Sequence, residues 1–155
     1  MKFIIIFLVL FGLSFNLNVN AASSGGNTGT SLYKSGKKLV IKAKKLEEKK
    51  KIEKAQKLYL KALDKLEKAY EKDQKNADVL NYLGYSLRKT GNFEKAEKFY
   101  LEGLKLDAGH LGINEYLGEL YVQTGRIELA KKRLEVLQGC NCEEYEELKE
   151  LIEKN

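Results

Sequence analysis

Apolar residues recur along this chain at helical spacing. Leu80, Leu83, Gly84 and Leu87 fall at i, i+3, i+4 and i+7, which puts them on one face of a helix. Thr90-Gly91-Asn92 ends the stripe: glycine suits the left-handed seat after a helix, and asparagine can cap the next one. A second stripe follows in Phe93, Ala96, Phe99 or Tyr100, Gly103 and Leu104, closed by Leu106-Asp107. The order then returns with Leu117, Gly118 and Tyr121, the break Thr124-Gly125-Arg126, and Ile127, Ala130 and Leu134. Upstream, Ala55, Tyr59, Ala62, Leu63, Leu66, Ala69 and Tyr70 form a longer stripe. Downstream, Tyr145, Leu148, Leu151 and Ile152 mark a terminal amphipathic helix that starts with Glu143, Glu144, Glu146 and Glu147. Acids at that end complement the helix dipole.

Shifting the chain against itself by 34 residues aligns eight identical pairs over positions 82–98, among them Gly84 on Gly118, Gly91 on Gly125 and Ala96 on Ala130. Self-similarity at a fixed period of this size marks a repeat array. The pattern L-G-x-x-L/Y, then G-x-F/I-x-x-A, then a large and a small residue resembles the tetratricopeptide repeat. Residues 77–110 carry it most clearly and residues 111–139 nearly as well. Ala108 stands where that family usually places Pro. The resemblance implies an all-α array of helical hairpins, an α-solenoid, with residues 140–155 as a Cys-x-Cys turn and a capping helix. Terminal helices with a polar outer face close such arrays.

Residues 32–76 read as an irregular, basic first repeat. Ile52-Glu53-Lys54-Ala55 looks like the opening of a second helix, but the turn before it is Lys49-Lys50-Lys51 and lacks glycine. Ala55 and Ala96 stand 41 residues apart, seven more than the period, which implies a second helix about two turns longer. A helical pair is favoured over one continuous helix from Leu39 to Lys72.

Residues 1–21 have the layout of a secretory signal peptide: Lys2, an apolar run from Phe3 to Phe15, and a polar stretch ending in Val19-Asn20-Ala21. The run is short for a bilayer span, which takes ~20 residues of helix. Cleavage is expected after Ala21, with release to the periplasm of a bacterium or beyond. Residues 22–31, rich in Gly, Ser and Thr, are expected to form a flexible linker, with the fold starting near Leu32.

Charge refines the picture. The 155 residues carry a formal +6, but unevenly: 16 Lys oppose seven acids over residues 34–75, whereas 11 basic residues face 15 acids from 76 to 155. Such an axis suits oriented docking better than polyanion binding. Export and the lack of a recognition motif argue against nucleic acid; weak peripheral contact with anionic lipid remains open for the Lys-rich segment. Catalysis is not expected. The chain has one histidine, His110, between the repeats, and no nucleophile elbow, phosphate loop or paired-carboxylate pattern. No cofactor and no metal are expected.

The resemblance implies that the first helix of each hairpin lines a concave groove, and that Asn81, Tyr85, Arg88, Lys89, Glu115, Glu119 and Gln123 point into it. Polar and aromatic side chains of this kind suit a peptide or helix from a protein partner. Well-known peptide-binding members share a basic, Asn-rich clamp for a C-terminal carboxylate; Glu115 and Glu119 argue against that specificity here. Cys140 and Cys142 read as a structural turn or local disulfide, with a redox or metal-handling role as the alternative. A second alternative is an envelope-associated factor acting through the Lys-rich helices.

Overall fold

The computed structural model describes residues 25–155. The expected signal segment, its cleavage point and residues 22–24 of the expected linker lie outside them. Among the described residues the chain forms seven helices and no strand: α1 (Gly25–Glu48), α2 (Ile52–Lys72), α3 (Ala77–Lys89), α4 (Phe93–Leu106), α5 (Leu111–Gln123), α6 (Ile127–Leu137) and α7 (Glu143–Glu153). α1 packs on α2, α3 on α4 and α5 on α6, giving three hairpins, and α7 lies against both α5 and α6. The expected all-α hairpin array with a closing helix is the observed fold. α1, α3, α5 and α7 are successive neighbours and build one inner face.

Each turn has a local cause. Gly91 (φ 85°) and Gly125 (φ 72°) occupy left-handed seats, and in both turns the next residue donates back across the helix end: Asn92 N to Leu87 O at 2.9 Å, Arg126 N to Tyr121 O at 2.7 Å. Asn92 Oδ1 accepts from Lys95 N at 3.3 Å, so it caps α4. The Pro-less turn after α4 is tied by Asp107 Oδ1, which accepts from Gly109 N at 3.1 Å, and by Asn114 Nδ2 donating to Ala108 O at 3.0 Å. His110 caps α5 through Nδ1, which accepts from Ile113 N at 3.2 Å.

α1 and α2 are separate helices, and their turn copies the glycine turns without glycine. Lys50 sits at φ 56°, and Lys51 N donates to Leu46 O at 2.8 Å. A side chain in that seat is strained by its Cβ, at a cost of about 1 kcal/mol. Lys50→Gly is therefore expected to raise the unfolding free energy by about 0.5–1 kcal/mol, measured by urea titration; an unchanged midpoint would show that the lysine carries no strain.

α2 has 21 residues against 14 in α4, so the seven-residue excess between Ala55 and Ala96 lies in this helix. The longer α2 gives α1 a longer surface to pack on. Residues 25–31, expected as flexible linker, are instead the first turns of α1. Gly29 is buried against α2, where even a Cβ would come within 3.1 Å of Lys72 Cβ. Small residues that looked like a spacer here allow two helices to meet.

The core divides into two clusters. Val40, Ala43, Ala55, Tyr59, Leu66, Val79, Leu83 and Tyr85 join α1, α2 and α3; Leu87, Ala96, Tyr100, Ile113, Leu117 and Ala130 join α3 to α6. Gly84 is required by Tyr100, whose Cε1 would stand 2.5 Å from a Cβ there, and Gly118 by Leu148 of α7, whose Cδ2 would stand 2.5 Å away. Phe93, read as part of the buried stripe, is 38% exposed, because it begins α4 at the turn end of its hairpin.

Candidate functional site

The inner face is a layer of aromatic rings bracketed by charges. Tyr85 of α3 and Tyr116 of α5 meet with centroids 4.6 Å apart. Lys44 Nζ of α1 lies 5.7 Å from each ring, while Arg88 Cζ lies 5.3 Å from Tyr85 and 5.9 Å from Tyr116. Cations held near ring faces are attracted by the ring quadrupole. Burial pushes the hydroxyls of Tyr59, Tyr85, Tyr100 and Tyr116 well above the ordinary tyrosine range. They remain neutral.

Arg88 joins α3 to α5. Its Nη2 pairs with Glu119 Oε2 at 2.5 Å, and its Nη1 donates to Gln123 Oε1 at 3.2 Å. The positive end of this bridge is 3% exposed. Lys89, next along α3, turns toward the first hairpin and pairs with Glu47 at 2.8 Å. Glu47 also accepts from Tyr59 Oη at 2.9 Å, and Gln56 Nε2 donates to Lys89 O at 2.7 Å. The junction of first and second hairpins is thus closed by polar bonds over an apolar core.

Glu115 is the unusual acid. It is 3% exposed, and its carboxyl is pushed up to about 10, first by burial, then by a hydrogen bond with Glu147 and by the charges of Glu119 and Glu147; Lys44 acts weakly against the shift. At neutral pH it is protonated and donates to the Glu147 carboxylate. Oxygens of Glu115, Glu119 and Glu147 lie within 4.8 Å of one another, spacing that a hard cation could use. The proton on Glu115 and the guanidinium on Glu119 already neutralise two of the three.

The seven residues expected to line a groove therefore divide. Arg88, Glu119 and Gln123 form one bonded unit, with Tyr85 stacked beside it. Lys89 faces the first hairpin, Glu115 meets α7, and Asn81 stands apart near the start of α5, where a Cβ on Gly112 would lie 2.9 Å from its Nδ2. Asn81, Tyr85, Arg88 and Glu115 are buried, Lys89 and Glu119 are half-buried, and Gln123 is exposed. Sequence reasoning missed Lys44, Glu47, Glu144 and Glu147. Tyr33, Lys37 and Lys44 share one face of α1 by spacing, a signal hidden among the lysines. The acids of α7 read as dipole partners, and nothing in their spacing showed that they reach α5. Cys140 and Cys142 are disulfide-bonded across Asn141 in the α6–α7 turn.

Residues 45–108 match the family model described as tetratricopeptide repeat, from the end of α1 through α4. The fold is a tetratricopeptide-like helical array. The chain is similar to the type III secretion translocator chaperone SycD of Yersinia enterocolitica, with a TM-score of 0.56 at 18% identity over 83% of each chain. It is also similar to the second tetratricopeptide domain of human RPAP3 in complex with an HSP70 peptide, with a TM-score of 0.54 at 19% identity, covering 82% of this chain and 99% of that one. A third likeness is to the first such domain of Spaghetti (RPAP3) bound to an HSP90 peptide, at 0.54 and 20% identity, covering 78% and 93%. No curated protein matches the chain. In tetratricopeptide terms, α1, α3 and α5 are the first helices of the hairpins, and α7 takes the place that the next first helix would hold.

Proposed function

We propose that the chain is an exported tetratricopeptide repeat protein that acts in the bacterial periplasm as a non-catalytic interaction module. A peptide or helix of a protein partner lies along the inner face. The observation that supports this reading is the preorganised layer of Tyr85, Tyr116, Lys44 and the Arg88–Glu119 bridge, which spans three first helices and whose buried members hold the Tyr116 ring and Glu119 in place without further ordering. Similar arrays hold HSP90 and HSP70 peptides. Because Tyr85 and Arg88 are spent on the array itself, contact falls to the accessible residues around them: Gln123, Glu119, Tyr116 and the inner edge of α7.

A photo-reactive residue at Gln123, exposed on the inner face, is expected to cross-link a partner in cells. The same residue at Lys98, exposed on α4, is expected to cross-link none. Equal labelling from both positions would sink the inner-face reading. Export is tested separately by N-terminal sequencing of the periplasmic protein: a start at Ala22 is expected, and an intact Met1 would overturn it.

A further inference from the structure

Three openings run together along the inner face beside α7. The first, about 410 Å³, is lined by Asp78, Asn81, Asp107, His110, Tyr116 and Glu144 among others. The second, about 110 Å³, shares Tyr116 and Glu144 with it and adds Glu115 and Glu147. The third, about 400 Å³, shares Glu147 and continues to Glu150. The strip holds eight carboxyl groups against Lys44, His110 and Lys154. Two of those bases are already engaged, His110 with Asp78 at 3.5 Å and Lys154 with Glu150, while Lys44 lies over the tyrosine rings. Among the described residues, no basic side chain pairs with Asp107, Glu143, Glu144 or Glu147.

An independent feature points to what the first opening takes. Asn81 lines it, is only 5% exposed, and its Oδ1 is buried without any donor. A buried acceptor left unmade destabilises the free protein, and a ligand N–H would recover that loss. An orphan acceptor, three carboxylates and the face of a tyrosine select a group that is all donor and positively charged.

We propose that this cavity between α3, α5 and α7 seats the lysine or arginine side chain of a partner segment laid along the inner face. Asn81 Oδ1 and the carboxylates of Asp78, Asp107 and Glu144 surround the cationic head, and neighbouring basic residues of the segment follow the acidic strip toward Glu147 and Glu150. The proposal rests on the inner-face reading above and adds the chemistry of the partner, opposite to that of a carboxylate clamp.

The test is fluorescence anisotropy of two labelled peptides of equal length, one alternating Lys and Ala, the other Glu and Ala, with the purified chain. The Lys peptide is expected to bind and the Glu peptide not. Glu144→Gln and Asp107→Asn should each weaken the Lys peptide about twofold to fivefold, and binding should fall as salt rises. Asn81→Asp should tighten it while lowering the melting temperature of the free protein, a combination that a purely structural asparagine would not give. Glu94→Gln, on the exposed side of α4, should leave binding unchanged. Equal binding of both peptides, indifference to Glu144→Gln and Asp107→Asn, or an equal loss with Glu94→Gln would overturn the proposal. A salt-sensitive dimer in sedimentation, lost with Glu144→Gln, would replace the partner by the Lys-rich helices of a second copy and equally overturn it. If Gln123 cross-links an acidic or neutral segment, only the charge assignment fails; if it cross-links nothing, the inner-face reading fails with it.

Discussion

Glu115→Gln raises the stability of the array, and the gain grows as pH rises. The ordinary carboxyl titrates near 4.5, whereas in the folded chain the Glu115 carboxyl is pushed up to about 10. Between those values the folded state keeps a proton that the unfolded state releases. Rising pH then favours unfolding, by up to about 1.4 kcal/mol per pH unit for a single group fully shifted. The penalty is absent below about 4.5, accumulates through neutrality and is complete near 10. Glutamine carries no ionisation cost, and its amide can donate to Glu147 as the protonated carboxyl does. The groups that face Glu115 are Glu119 on its own helix, Glu147 on α7 and Lys44 on α1, and none of them changes in the variant. Allowing for the hydrogen bond and for partial solvent access, the expected gain is on the order of 1–3 kcal/mol near pH 8, shrinking toward zero near pH 4.5. Thermal melts of both proteins across that range check it. Melting temperatures that differ by a constant amount at every pH would show that Glu115 is not the proton-holding group.

The parts of this molecule legible from sequence are those whose signal is local. A period of 34, a glycine in each left-handed seat and an alternation of small and large residues determine α3 to α6, because each packing demand, such as the Tyr100 ring over Gly84, is met by a residue type at a fixed offset. The first hairpin obeys the same rules with less telling residues. Lys50 takes the glycine seat, so its turn has no mark, and Gly29 serves close packing in a stretch that otherwise reads as spacer. The inner face was legible only in part. Helical spacing correctly assigns Tyr85, Arg88 and Glu119 to the first helices, but burial depends on what the neighbouring layers bring. Arg88 is enclosed by side chains from α4 and α5, and Glu115 by α7, none of which a pattern within one helix reveals. The acidic strip has the same origin: Asp107 follows α4, Glu144 lies on α7, and only the docking of Leu148 on Gly118 brings the closing helix within reach of α5.

Arg88→Ala is expected to be the most damaging single change on the inner face, because the arginine is enclosed while its partner is not. The guanidinium is pressed among Tyr85, Tyr116 and Tyr100, with Glu119 half-exposed at the far end of the bridge. Truncation leaves Glu119 without its cation, removes the donor to Gln123 and opens a cavity under the rings. Breaking a buried pair by removing one member costs about 3–5 kcal/mol; partial solvation of Glu119 places the expectation near the lower end, about 3 kcal/mol. Arg88→Lys should not rescue it fully, since an ammonium cannot hold Glu119 and Gln123 with one planar fork. Arg88→Met combined with Glu119→Gln removes both charges and refills the space, and should return to within about 1 kcal/mol of the original. Urea titration of the original chain, Arg88→Met, Glu119→Gln and the double variant closes the cycle. A double variant as unstable as Arg88→Ala, with methionine filling the space, would mean that the charge pair and its hydrogen bonds themselves carry the stability. Recovery in the double variant but not in Arg88→Met would mean that the cost of Arg88→Ala lies in the stranded carboxylate. In that case the charge pair contributes little net stability, and its place in the array is to hold α3 and α5 in register, with Tyr85 and Tyr116 aligned for whatever lies across them.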